Sequence, residues 1–125
     1  NCITVIRREA FDHCTNLKSF TIADGITAIG SNAFDSCIRL TNITIGDSVS
    51  WIGRYAFLSC SSLTSIYCKA TTPQKLSSVS FYRNKSDLKI YVPKSENSTV
   101  LKAYKSAKGW KFYADIIEEY DFGNE

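Results

Sequence analysis

One phrase recurs three times at a spacing of 23 residues: Ala10-Phe11-Asp12-His13-Cys14, Ala33-Phe34-Asp35-Ser36-Cys37 and Ala56-Phe57-Leu58-Ser59-Cys60. Three residues after each cysteine stands a leucine (Leu17, Leu40, Leu63), and the β-like runs Phe20-Thr21-Ile22, Ile43-Thr44-Ile45 and Ile66-Tyr67-Cys68 follow. The phase carries on into Ile26 and Ile29, and into Val49 and Ile52. A unit this short cannot bury its apolar side except against its neighbours. A fixed period of this length therefore predicts a solenoid.

Each repeat reads as three pieces. The first is a short strand such as Leu40-Thr41-Asn42-Ile43-Thr44-Ile45, with Ile43 and Ile45 inward and Asn42 and Thr44 outward by period-two alternation. The second is a turn built on Gly46-Asp47-Ser48 or Ala23-Asp24-Gly25. The third is a second extended piece, Val49 to Gly53, leading into the Ala-Phe-x-x-Cys segment, which is long enough only for one helical or 3₁₀ turn. Leu76, Phe81, Asn84 and Ile90 stand 24 residues beyond Ile52, Phe57, Cys60 and Ile66, so a fourth, degenerate repeat carries one inserted residue. About four repeats, the first incomplete, thus occupy residues 1–93.

From Pro93 the pattern stops, and residues 94–125 read as a cap. Ser95 to Ser98 can cap a helix, and Thr99 to Lys108 has helical phase, with Val100, Leu101, Tyr104 and Ala107 opposite Lys102, Lys105 and Lys108. Gly109 is placed to end it. Trp110, Phe112, Tyr113, Ile116 and Ile117 form a second apolar cluster. Sealing the open end of the array, which every solenoid requires, accounts for that cluster more simply than a ligand platform does. The expected fold class is a β-rich repeat solenoid of short parallel strands and 3₁₀ or helical turns, closed by a C-terminal capping helix.

At 125 residues the chain suits one structural unit, and no run approaches the ~18 apolar residues of a membrane span. The net charge of +3, with no dense Lys/Arg block interleaved with aromatics, gives no reason to expect nucleic acid. The chain begins at Asn1 partway through a repeat and contains no Met, which reads as a segment of a longer protein.

The chemistry-bearing residues point away from catalysis. Cys14, Cys37 and Cys60 share one phase and should stack about 4.8 Å apart with their Cβ vectors side by side, not facing. With no CxxC pair, they read as small buried thiols and not as a metal or redox ladder. Cys68 takes the inward position of Ile22 and Ile45, and Cys2 has no counterpart. There is no phosphate-cradling glycine loop and no HExxH. His13, the only histidine, stands where Ser36 and Ser59 stand. Asp12 and Asp35 share a phase that Leu58 breaks, on an edge where no acid/base pocket forms. Asn-x-Ser/Thr triplets begin at Asn42, Asn84 and Asn97 and read as chance in a Ser/Thr-rich chain. No enzyme activity, metal or cofactor is expected.

A parallel ladder would align the outward strand residues as columns on the concave face. Thr21, Thr44, Tyr67 and Tyr91 form the central one. Ser19, Asn42, Ser65 and Lys89 flank it on one side, and Ala23, Gly46, Lys69 and Pro93 on the other. Small polar residues give way to Tyr and Lys toward the C-terminal end. Thr44, Tyr67, Lys69, Lys89 and Tyr91 are therefore candidate ligand-binding residues, since Tyr supplies rigid amphipathic contact area. The alternative is that Thr and Tyr are simply good residues for an exposed strand.

The unit Leu-x-x-Ile-x-Ile … Val-x-x-Ile-Gly-x-x-Ala-Phe-x-x-Cys, matched almost position by position from Leu40 to Cys60, resembles the BspA-like class of bacterial leucine-rich repeats. Ile66 to Pro73, Ile90-Tyr91-Val92-Pro93, Ala103-Tyr104-Lys105 and Gly109-Trp110 resemble the C-terminal cap of such proteins from gut bacteria. Arg7, where Gly30 and Gly53 stand, and the insertion in the fourth repeat are departures. The resemblance implies a secreted or surface-attached protein, of a class in which some members bind host proteins or other cells. The expected function is a non-catalytic module holding a protein or glycan ligand on its concave face, with a passive spacer or stalk as the alternative.

Overall fold

The computed structural model describes residues 4–81 and 87–124. Cys2 and Asn84, with the triplet that Asn84 opens, lie outside the described residues. The chain coils through eight short strands: β1 (Val5–Ile6), β2 (Ser19–Ile22), β3 (Ala28–Ile29), β4 (Asn42–Ile45), β5 (Trp51–Ile52), β6 (Ser65–Cys68), β7 (Lys75–Leu76) and β8 (Lys89–Pro93). A 3₁₀ turn (Glu96–Ser98), helix α1 (Thr99–Ser106), a 3₁₀ segment (Trp110–Ile116), strand β9 (Ile117–Tyr120) and a last 3₁₀ turn (Phe122–Asn124) complete it. Alternate strands build two parallel sheets, β1-β3-β5-β7 and β2-β4-β6-β8-β9. This is the β-rich solenoid that the period predicts.

Register follows the repeat. Thr21 lies opposite Thr44, and Thr44 opposite Tyr67, each 23 residues on. Ile45 still pairs with Cys68, whereas Trp51 pairs with Lys75, so the extra residue of the fourth coil falls between Cys68 and Lys75. Between the sheets lies the core: Ile22, Ile43, Ile45, Ile66 and Ile90 from one, Ile29, Ile52 and Leu76 from the other. Phenylalanines stack along its length, Phe11 on Phe34 at 5.1 Å, Phe34 on Phe57 at 5.3 Å and Phe57 on Phe81 at 5.5 Å between ring centroids.

The Ala-Phe-x-x-Cys segment carries the i→i+3 bonds of a 3₁₀ turn: Ala33 N–H to Gly30 O, Asp35 N–H to Asn32 O and Cys37 N–H to Phe34 O. The intervening amides turn outward to the next coil, Asn32 to Arg54 O, Phe34 to Ala56 O and Ser36 to Leu58 O. Left-handed backbone at Asn32 and Ser36 (φ 58° and 60°) produces that alternation and keeps the turn from winding on as a helix. The coils approach closely here. A Cβ at Gly30 would stand 2.4 Å from Arg8 N, and one at Gly53 2.5 Å from Ser31 N. Arg7 occupies this phase in the first coil, on whose outer side no described residue stacks.

Helix α1 stops two residues before the expected Lys108. Ala107 is extended (φ −70°, ψ 147°), and Gly109 turns left-handed (φ 83°) so close to Leu76 that a Cβ would sit 2.1 Å from its carbonyl oxygen. The Ser95 hydroxyl accepts the Val100 N–H at 2.9 Å, capping the helix as the polar loop suggests. Tyr104 and Trp110 are fully buried. β9, which the sequence reading counted only as part of an apolar cluster, adds a fifth strand parallel to β8.

Candidate functional site

The outward residues of the five-stranded sheet form the expected columns. Thr21, Thr44, Tyr67 and Tyr91 are successive partners, and β9 extends the row with Glu118. Ser19, Asn42, Ser65 and Lys89 run beside them. Parallel strands stand about 4.8 Å apart, so rings on neighbouring strands meet face to face. The Tyr67 and Tyr91 centroids are 5.0 Å apart with planes inclined by 15°.

Two residues absent from the sequence-derived set complete the cluster. Tyr120, opposite Pro93 in β9, sets its edge against Tyr67 at 5.1 Å and Tyr91 at 5.7 Å. Phe122 follows, 4.9 Å from Tyr120 and 6.4 Å from Tyr67. All four rings are half-buried. At their margin Lys89 Nζ lies 3.1 Å from Glu118 Oε2, both side chains well exposed. Burial pushes the Tyr91 phenol above its ordinary value, and the Glu118 carboxylate adds to the push. Tyr91 thus stays neutral, a hydroxyl able to donate or accept.

Of the expected residues, the structure brings Tyr67, Tyr91 and Lys89 together, with Thr44 adjoining in the Tyr67 column. Lys69 stands apart. It lines a hollow of about 330 Å³ with Asp47, Thr71 and Thr72. Glu118, Tyr120 and Phe122 were missed because β9 does not alternate. Glu119 takes the inward position beside Val92, and one of its carboxylate oxygens is buried without a partner. The signal available was the four-residue run Ile117–Tyr120 itself, with an apolar residue at each end.

The thiol column is part of the packing. Cys37 Sγ donates to Phe11 O at 3.1 Å and Cys60 Sγ to Phe34 O at 3.0 Å, each across to the preceding coil. The adjacent Cys37 thiol and burial hold Cys60 far above the ordinary thiol range, and burial alone does the same to Cys68. Neither is a nucleophile near neutral pH. Asp35 accepts from Asn32 Nδ2 at 3.0 Å and Ser36 Oγ at 2.8 Å, so its carboxylate braces the two left-handed residues. His13 pairs locally with Asp12, Nδ1 to Oδ1 at 2.5 Å. Hydroxyls do similar work between coils: Thr27, Thr41 and Thr64 each donate to the carbonyl 23 residues earlier.

The repeating unit is therefore a strand, a glycine-bearing turn, a two-residue strand and a Phe/Cys turn, stacked in parallel. A family model for the BspA type leucine rich repeat region matches residues 1–110 in six copies. The chain belongs to the BspA-type leucine-rich repeat family. No curated protein matches it. A BspA-type repeat of this kind is an interaction or structural module, and such repeats are generally non-catalytic and usually surface-associated. In this BspA-type chain no helix is long and apolar enough to cross a membrane, among the described residues. Its aromatic cluster lies at the C-terminal end of the sheet, half of it contributed by Tyr120 and Phe122, beyond the matched repeats.

Proposed function

We propose that this chain is a non-catalytic interaction module of a bacterial surface or secreted protein, and that it holds a protein partner on the outward face of the five-stranded sheet. The observation that carries the reading is the cluster of Tyr67, Tyr91, Tyr120 and Phe122 with the Lys89–Glu118 ion pair at its margin. Half-buried tyrosines beside mixed charge are the composition of a protein contact surface. Because Tyr67 and Tyr91 turn a face to each other and Tyr120 meets both at a steep angle, the three tyrosines offer mainly edges and hydroxyls. That suits a protein surface better than a sugar ring, which needs a free aromatic face. Thr44 extends the contact toward the small polar end of the sheet.

A second reading rests on the same packing: the edge contacts of Tyr120 and Phe122 with the stacked Tyr67–Tyr91 pair also pin the C-terminal strand to the sheet, as a passive spacer would need. Binding to immobilised extracellular-matrix proteins separates the two. The Tyr67→Ser/Tyr91→Ser double variant should fold and lose binding at least about tenfold, since contacts of this type contribute ~2 kcal/mol or more. A folded double variant that binds as the parent does, or a parent that binds none of them, would leave only the spacer.

A further inference from the structure

We infer that a groove on the opposite side of the solenoid, between the four-stranded sheet and the C-terminal segment, is a second binding site that takes an acidic oligosaccharide. The groove encloses about 480 Å³, within the ~300–1,000 Å³ of small-ligand clefts. Trp51 forms one wall, with 39% of its surface exposed, and Arg54, Lys75 and Lys108 surround it. A smaller depression, lined by Lys108 and Phe112, continues past the end of α1, and Phe112 is 68% exposed.

Charge decides the sign of the ligand. No carboxylate lines the groove, and among the described residues no ion pair joins Arg54, Lys75 or Lys108 to an acid. The Arg54 guanidinium rests 5.2 Å from the centre of the Tyr55 ring, which limits its freedom before any ligand arrives. Three cations of this kind suit carboxylate or sulfate groups. Gln74, 3% exposed, is also part of the lining, and its amide nitrogen is buried without an acceptor.

The backbone decides between a sugar and a peptide. An extended peptide gains most by joining a free strand edge, but the far side of β7 is covered by the C-terminal segment. Trp110 Nε1 donates to Gln74 O at 2.7 Å, and Gly109 packs directly on Leu76 O. Side chains must therefore do the recognising. An exposed indole ringed by cations matches a flat, apolar sugar face carrying anionic groups, unlike the mutually stacked tyrosines of the sheet.

The test is a titration with α-1,4-linked tetragalacturonate, following the Trp51 indole N–H by NMR, assigned with Trp51→Phe. The methyl-esterified tetrasaccharide, which keeps the rings and removes the charge, and a hexaglutamate peptide serve as comparisons. Saturable movement of the Trp51 resonance by tetragalacturonate alone is expected. Lys75→Glu/Lys108→Glu, at two exposed positions, should weaken it about tenfold or more. Tyr67→Ser/Tyr91→Ser should bind as the parent does, which separates this groove from the sheet face. An unmoved Trp51 resonance, equal binding of the esterified sugar, or charge reversal without effect overturns the assignment. Equal or tighter binding of hexaglutamate also overturns it and makes the groove an acidic-peptide site.

Discussion

Two non-glycine residues in each of the first three coils hold left-handed backbone: Glu9 and His13, Asn32 and Ser36, Tyr55 and Ser59, all with φ between 58° and 60°. At sequence level, His13, Ser36 and Ser59 share only a position. What unites them is the conformation that sends an amide to the next coil, and Ser and His carry no propensity strong enough to announce it. A β-branched side chain cannot adopt that conformation cheaply. Ser59→Val should lower the unfolding free energy by about 1–2 kcal/mol, while Ser59→Asn should lose almost nothing, as read from urea midpoints. The thiols give a second test. Iodoacetamide applied to the folded protein should modify Cys14, which is half-buried, well before Cys60 or Cys68. Both buried thiols are held protonated far past neutral pH, so raising the pH to about 9 should not open them while the fold persists. Peptide mapping that found Cys68 modified as fast as Cys14 would contradict this.

The turn carrying the extra residue of the fourth coil and the C-terminal segment depend on each other. Tyr104 donates its hydroxyl to Ala70 O at 2.8 Å and meets Gln74 Oε1 at 3.1 Å, while Trp110 takes Gln74 O. The apolar face of α1 was legible from its spacing, and so was the inserted residue. Their connection was not, because 34 residues separate Tyr104 from Ala70 and no periodicity links them. Tyr104→Phe keeps the ring and strands a buried carbonyl, and it should cost about 1–3 kcal/mol. Phe57→Ala, which interrupts the ring stack between Phe34 and Phe81, should cost about 3–5 kcal/mol, measured by thermal or urea unfolding.

Across the whole molecule the two ends of the ladder differ. β2 and β1 begin the sheets, whereas β9 closes one of them and places Tyr120 and Phe122 over the outward tyrosines. Removing residues 117–124 should lower stability by at least about 2 kcal/mol, the value of burying Ile117 alone. It should also raise the exposure of Tyr67 and Tyr91, seen as a shift in tyrosine absorbance. No loss of stability would mean that the aromatic cluster contributes nothing to holding the strand. The 23-residue period, with the one-residue insertion legible in the fourth repeat, determined the solenoid, the parallel register, the inward isoleucines and the outward column of Thr44, Tyr67 and Tyr91, because stacking like units brings like positions together at the strand spacing. Only the tertiary structure decided that Lys69 faces a separate hollow, that Glu118, Tyr120 and Phe122 join the candidate site, and that Trp51 and Lys108 border one groove. Lys108, Glu118, Tyr120 and Phe122 come from the segment after β8, and the Lys69 hollow from the turn that carries the extra residue; where a stretch without the period docks is set by packing against the finished ladder.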